Sequence, residues 1–324
     1  MNPLIVIDTP AQFQALVPEL ARQSYLAIDT ESNGYYAYFE HICLIQISTE
    51  THDYIVDPLG VGNLGRMGAL FADPAIEKIM HAASNDIAGF KRDFHFQVRN
   101  VFDTALACKL LGIEQLGLSR IIQQHFAVTL NKKWQRCDWG KRPLTQDQLE
   151  YARMDTHFLI TLRHQLAQDL CQKSLWEQAQ EVFIKACTQE IPERSFDPQG
   201  FRRIHGYRAL NQAGKQVLQA LHQYRDRRAR LQDRAPFRIL SNEVLLRMAI
   251  HCPQNLDALQ NTSGLPRPYR TGRLAQELLE VLQQAARAAE QAEPADDAAH
   301  PQTADLPEDG SDLAPCLITS GEKR

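Results

Sequence analysis

The residues best suited to chemistry in this chain are acids. Asp29 and Glu31 end the apolar run in YLAIDTESNGYY (25–36). In a β-strand, residues two apart share a face, so these carboxylates would repel each other beside a hydrophobic core. Solvent, a basic partner or a bound cation could offset that repulsion. Asp86 follows in HAASNDIAGF and Asp155 in TQDQLEYARMDTHFLITL, where Tyr151 lies one helical turn before it on the same face. Singly, each has an ordinary explanation. Asp86 suits the first turn of a helix capped by Ser84, while Tyr151 and Asp155 suit a half-buried tyrosine and a solvated acid. Asp103, in VFDTALACKLL, reads as a cap, and Asp138 as the partner of a neighbouring arginine. As an ordered set, Asp29, Glu31, Asp86, Tyr151 and Asp155 point to a two-metal site. Hard divalent ions, Mg²⁺ or Mn²⁺, take carboxylate oxygens. Two such ions about 3.5–4 Å apart stabilise the attacking and leaving oxygens in phosphodiester hydrolysis. A shared cation would also remove the repulsion between Asp29 and Glu31.

These acids need elements to carry them. LIVID (4–8), YLAID, ICLIQIS (42–48), DYIVD (53–57), EKIMHAA and VRNVFD read as strands, with turns at SNG and TETH. Thr9 and Pro10 start a helix after the first strand. Three consecutive strands followed by strand–helix alternation predict an α/β domain with a mixed sheet. From about residue 115 onward only helical periodicity is present. The stretch 145–188 opens on a T-x-x-Q capping box, Thr145 and Gln148, and breaks near 172–174. IPERSFDPQG (191–200) reads as a hinge, several short amphipathic helices as an all-α unit, and the last segment as a disordered acidic tail. The predicted units are 1–172, a helical linker 173–202, a helical domain 203–288 and a tail 289–324.

Charge is distributed unevenly along the chain. Residues 1–199 carry a net −6, residues 200–289 a net +9, and residues 290–324 a net −7. A basic segment between acidic ones is the polarity of a polyanion-binding module, or of a helical segment with a solvated basic face. The loop NKKWQRCDWGKR (131–142) sets Lys132, Lys133, Arg136, Lys141 and Arg142 around Trp134 and Trp139. Cations interleaved with rings suit single-stranded nucleic acid, although each tryptophan suits a core anchor equally well. Arg225, Arg227, Arg228, Arg230 and Arg234 form a second cluster. Seven scattered cysteines without a CxxC argue against disulfides or a cysteine zinc site and fit a reducing cytoplasm. No apolar run approaches the roughly 18 residues that span a bilayer, and MNPLIVIDTP lacks a signal-peptide layout. The expectation is a cytoplasmic protein with no membrane association and no obligate protein partner.

AIDTES, HAASNDIAGF and YARMD resemble, in order, the three motifs of the DEDD 3′→5′ exonucleases, and the tyrosine at 151 marks the DEDDy branch. CLIQIS, VDPLG, VFDT and LNKKWQRCDWGKRPLTQDQLEYARMD narrow the resemblance to bacterial ribonuclease D, over roughly residues 5–170. Residues 203–287 are similar to the helicase-and-RNase-D C-terminal (HRDC) domain. The resemblance implies an RNase H-like fold, with Asp29, Glu31, Asp86 and Asp155 as metal ligands and Tyr151 as catalytic partner. It also implies an RNA 3′ end as substrate, with tRNA precursors first in line. Lys132, Lys133, Arg136, Arg142, Arg225 and Arg228 are then candidate RNA contacts. Some ribonuclease D proteins carry two HRDC domains, whereas here the acidic tail stands in the second position. A DNA-directed exonuclease of the same fold and a catalytically silent nucleic-acid-binding protein are the competing readings.

Overall fold

The strand-like runs assemble into one sheet in the computed structural model, which describes residues 1–188 and 196–291. The strands are Leu4–Ile7 (β1), Tyr25–Ser32 (β2), Ile42–Ser48 (β3), Asp53–Val56 (β4), Glu77–Met80 (β5) and Val101–Asp103 (β6). Their order is β1-β4-β3-β2-β5-β6. β2 pairs antiparallel with β3 and parallel with β5, so the sheet is mixed as the sequence predicts. The parallel pairing with β5 covers only Tyr25–Ala27. The acid-bearing end of β2 therefore runs past the end of β5, where a crevice can open.

Helices line both faces. Pro10–Leu20 (α1), Pro58–Val61 (α2), Gly65–Ala72 (α3) and Ser84–Phe94 (α4) lie within the first part of the chain. Phe13, Leu16, Met67, Phe71 and Phe90 from these helices pack on Ile28, Ile45 and Ile47. The other face receives Thr104–Leu110 (α5), Leu118–Phe126 (α6), Gln146–His157 (α7), Leu159–Gln172 (α8) and Trp176–Thr188 (α9). Ala27, Ile79 and Phe102 meet Leu159, Leu162 and Leu166 there. Capping boxes at Thr9–Gln12 and Thr145–Gln148 start α1 and α7, each cap worth about 1 kcal/mol. The break predicted near 172–174 falls between α8 and α9. A second break, at Phe158 between α7 and α8, is not marked by Pro or Gly and was not foreseen.

Gln212–Leu231 (α10), Pro236–Ile239 (α11), Asn242–His251 (α12), Leu256–Gln260 (α13) and Gly272–Gln291 (α14) build a second core from Phe201 to Ala285. α14 continues through Gln291, so residues 289–291 are helix rather than tail. The rest of the predicted tail, and residues 191–195 of the predicted hinge, lie outside the described residues. Residues 33–41 join the two cores. Tyr38 packs against the second core, its hydroxyl donates to Asp226 at 2.9 Å, and the amides of Tyr38 and Phe39 donate to Asp233.

One buried ion network fixes α7 on the sheet. Asp53 accepts from Arg153 Nη2 at 2.7 Å, His157 Nδ1 at 2.8 Å and Ser48 Oγ at 2.8 Å. Arg153 Nη2 also donates to the carbonyl of Asn2 at 2.6 Å, and Ser48 meets Thr156 at 2.7 Å. Burial opposes the charge on Asp53, but the bonds and charges of His157, Ser48 and Arg153 hold its carboxyl below the ordinary range. Breaking such a pair leaves an uncompensated charge in the interior, at a cost of about 3–5 kcal/mol. Asp53→Ala is therefore expected to lose stability of that order in urea unfolding. A loss below about 1 kcal/mol would remove the network from this role.

Candidate active site

Asp29 and Glu31 lie on the face of β2 that looks toward α7, and both are half-buried. Asp86 enters from the first turn of α4 and is buried. Asp155 and Tyr151 come from α7, both half-buried. Thr30, between the two strand acids, donates its hydroxyl to Asp86 Oδ1 and so ties α4 to β2. Sequence reasoning missed Thr30, because a strand residue between two acids points to the opposite face.

The supports around these residues differ from expectation in informative ways. Ser84 is not the cap of α4; Ala83 occupies that position and makes no side-chain bond. Asp103 supplies what is missing. It caps α5 through the amides of Ala105 and Leu106, and it accepts the amides of Ala82 and Ala83 at 3.1 and 2.8 Å. One carboxylate thereby holds the turn that delivers Asp86. Asp138 pairs with Lys141 at 3.9 Å, not with an arginine.

All four acids are held above the ordinary carboxylate range. Burial pushes Asp29 well above the usual carboxylate range, and Asp86, Asp155 and Glu31 push it further. Glu31 is raised by burial, then by Asp155 and Asp86. Burial raises Asp86 to about 6 against the pull of Thr30, and burial with Asp86 raises Asp155 to about 7. Burial and the charges of Asp155, Glu31 and Asp29 push the Tyr151 phenol upward, so it stays protonated at neutral pH and is a hydrogen-bond donor rather than a base.

Does this set suit divalent cations? Among the described residues no group of three His, Cys, Asp or Glu is already closed to metal-ligand geometry. Facing anions are expected to stand apart in the absence of positive charge. The donors are all hard oxygens, as Mg²⁺ and Mn²⁺ require. Gln46 adds a further sign. It pairs in register with Asp29 and is fully buried, yet neither its amide nitrogen nor its oxygen has a hydrogen-bond partner. A buried amide is rarely left so, and its neighbour is a carboxylate that burial and like charges set against ionisation. The residues fit the ions.

The flanking loop separates the candidate RNA contacts. Lys132, Lys133 and Arg136 are exposed. Lys133 and Trp134 line a cleft of about 370 Å³ together with Tyr151 and Asp155. Trp139 is 1% exposed and stacks on Tyr151 with centroids 5.9 Å apart, so it is a core anchor and no platform for a base. Arg142 is a correction. Its guanidinium donates to Asp57 at 2.7 Å and to the carbonyls of Cys43, Trp139 and Lys141, which pins the loop and leaves little for a phosphate. Arg225 is buried and bonded to Asn242 and the Leu240 carbonyl, and Arg228 is part-buried against Glu277. These two build the second core rather than a surface. Arg227, Arg230 and Arg234 of the same cluster are exposed.

A mixed sheet with clustered carboxylates at the free end of its central strand, followed by a helical module, defines the class. The chain belongs to the 3′–5′ exonuclease family, which residues 4–171 match, and residues 214–282 match the HRDC domain. It is 32% identical over 289 residues to Protein RRP6-like 2 of Arabidopsis thaliana, covering 83% of this chain and 33% of that protein. Its structure is similar to the catalytic core of RRP6 from Trypanosoma brucei, with 29% identity, a TM-score of 0.82, and 89% and 81% of the two chains covered. For Escherichia coli RNase D the identity is 26% and the TM-score 0.65, with 88% and 75% covered. The likeness to RRP6 exceeds that to ribonuclease D, so the exonuclease family and the HRDC domain expected from the sequence are shown, and ribonuclease D specifically is not. The chain spans about a third of the length of the curated relatives it matches.

The raised carboxyls have a consequence for stability. A group whose folded pKa lies above its ordinary value favours the fold below that ordinary value and loses this advantage as pH rises through the folded value. For Asp86 and Asp155 the loss falls between about 4 and the folded values of about 6 and about 7. His81 and His222, lowered by burial, act in the opposite sense, so the acid contribution is isolated by comparison with a variant. With divalent ions chelated, Asp155→Asn is expected to melt higher than wild type near pH 8, with the gap closing toward pH 5. A gap that is absent, or constant with pH, would contradict the mutual repulsion.

Proposed function

We propose that this chain is a hydrolase that removes nucleotides one at a time from the 3′ end of RNA. The convergence of Asp29, Glu31, Asp86 and Asp155 from β2, α4 and α7, with Tyr151 one turn from Asp155, carries the reading. Membership of the 3′–5′ exonuclease family and likeness to E. coli RNase D, an exoribonuclease, support it. In the reaction a water oxygen joins phosphorus, the bond from phosphorus to O3′ breaks, and the proton ends on the shortened chain. The products are a nucleoside 5′-monophosphate and RNA with a new 3′ hydroxyl.

The four carboxylates would hold two divalent ions, Mg²⁺ or Mn²⁺, which when bound supply positive charge for the attacking and departing oxygens. The protein's own groups do the rest. Thr30 fixes the orientation of Asp86. The Asp53–Arg153–His157 network fixes the rotation of α7, and hence where Tyr151 and Asp155 face. The protonated Tyr151 phenol donates to an oxygen at the reacting phosphate, its ring held from below by Trp139. Lys133, Lys132 and Arg136 offer cations to the phosphates of the strand entering the cleft.

Among RNA ends, tRNA precursors are the substrate that the ribonuclease D resemblance favours, and E. coli RNase D is described as involved in structured RNA processing. All four acids come from one chain, so the site needs no partner to complete it. The six described cysteines are free, which suits a reducing cytoplasm. Among the described residues no helix is long and apolar enough to cross a membrane.

Matched RNA and DNA oligonucleotides with free 3′ ends test the proposal. In Mg²⁺ or Mn²⁺ the RNA is expected to shorten in single-nucleotide steps from its 3′ end, faster than the DNA, and chelation stops the reaction. Asp155→Asn is expected to leave no ladder, and Tyr151→Phe to slow it by about a hundredfold or more. Faster DNA shortening would favour the DNA-directed reading. Near-native turnover by Asp155→Asn would remove the site assignment.

A further inference from the structure

The seam between the two cores carries a patch that the catalytic site does not use. Tyr35 is 40% exposed and Phe237, from α11, is 45% exposed, with ring centroids 4.9 Å apart. Arginines surround them. Arg238 lies 3.7 Å over the Tyr36 ring and donates to the Tyr35 carbonyl at 2.8 Å, and Arg136 lies 5.8 Å over Tyr35. Arg234 is exposed and lines, with Tyr36, Arg238 and Lys141, a cleft of about 360 Å³. Among the described residues no carboxylate forms an ion pair with Arg136, Arg234 or Arg238. The two acids on that cleft are already engaged: Asp233 by the amides of Tyr38 and Phe39, and Asp138 by Lys141.

We infer that this patch is a track for single-stranded RNA upstream of the 3′ nucleotide. The inference rests on the proposed function. Two observations connect the patch to the catalytic cleft. The loop holding Lys133 and Trp134 on that cleft reaches Arg136 three residues later, and the Arg136 carbonyl accepts the Tyr36 hydroxyl at 3.2 Å. The segment bearing Tyr35 begins directly beyond the strand end that carries Glu31. A strand leaving the cleft along this loop meets unpaired guanidinium groups next to half-exposed rings. Phosphates need the first and bases stack on the second, whatever their sequence. A protein partner is the weaker fit, because the exposed rings are few and the cations around them lack counter-charges. The track draws residues from both domains, so a substrate long enough to reach it touches both.

Binding is measured in the non-hydrolysing Asp29→Asn background, with a 5′-labelled RNA dodecamer and a trinucleotide. Tyr35→Ser with Phe237→Ser is expected to weaken dodecamer binding about tenfold or more, as loss of stacking does, and to change trinucleotide binding less than about twofold. Arg136→Gln and Arg234→Gln, surface changes that leave the Tyr35–Phe237 ring pair in place, are each expected to lower the salt dependence of dodecamer binding by about one phosphate contact. Cooperative melting near the parent temperature shows that the variants are folded. Dodecamer affinity unchanged within about twofold in the ring variant, together with an unchanged salt slope, overturns the track and leaves the seam to a protein contact. Failure of the wild-type chain to shorten either RNA overturns the proposed function instead, so the two failures are distinguishable.

Discussion

Like-charge repulsion is the constraint on which the rest of this structure depends. Four carboxylates are drawn together where water is scarce; Asp86 and Asp155 make Asp29 and Glu31 harder to ionise, and Asp86 does the same to Asp155. Such an arrangement works against folding unless positive charge arrives, and among the described residues no lysine or arginine forms an ion pair with any of the four. The order of consequence runs from that fact. A site that resists its own charge takes up cations, and cations placed between hard oxygens act on phosphate esters.

The supporting structure holds these acids against their repulsion. Asp103 organises the turn before α4 with two backbone bonds and caps α5 with two more, and Thr30 clasps the acid that α4 delivers. Arg142 pins the basic loop to β3 and to Asp57, so the cleft beside Tyr151 keeps its wall. The Asp53 network sets α7 down in one rotation. Asp103, Asp57, Asp53, Arg153 and Ser48 are buried, and every one of these groups is bonded to a partner within the protein. The contrast with the unpaired acids of the cleft separates groups that build the site from groups that form it.

Much of this was legible in the sequence, for physical reasons. The six strands are short apolar runs between turn residues, and the helix starts at Thr9 and Thr145 are written in local capping chemistry. The acids were legible as an ordered set because chemistry limits which side chains can hold hard cations. Pairings distant in the chain were not. Asp53 and Arg153 lie 100 residues apart, and nothing local to either announces the other. Arg225 and Arg228 read as surface cations because they sit in an arginine-rich run. Yet Arg225 follows Leu218 by seven residues and Arg228 follows Leu221 by seven, which puts both on the apolar stripe of α10. Gln46 was visible as a lone amide in the apolar strand ICLIQIS, and its significance emerged only from its register with Asp29.

The site stands or falls on whether metal ions are what the crowded acids await. Calorimetric titration of the chain with Mn²⁺, compared with a variant carrying both Asp29→Asn and Asp155→Asn, addresses this without relying on turnover. Saturable uptake by the natural sequence, and none by a variant that still melts cooperatively, is the predicted result. Equal uptake by the two proteins would mean that the ions bind elsewhere and that the cluster serves some other end.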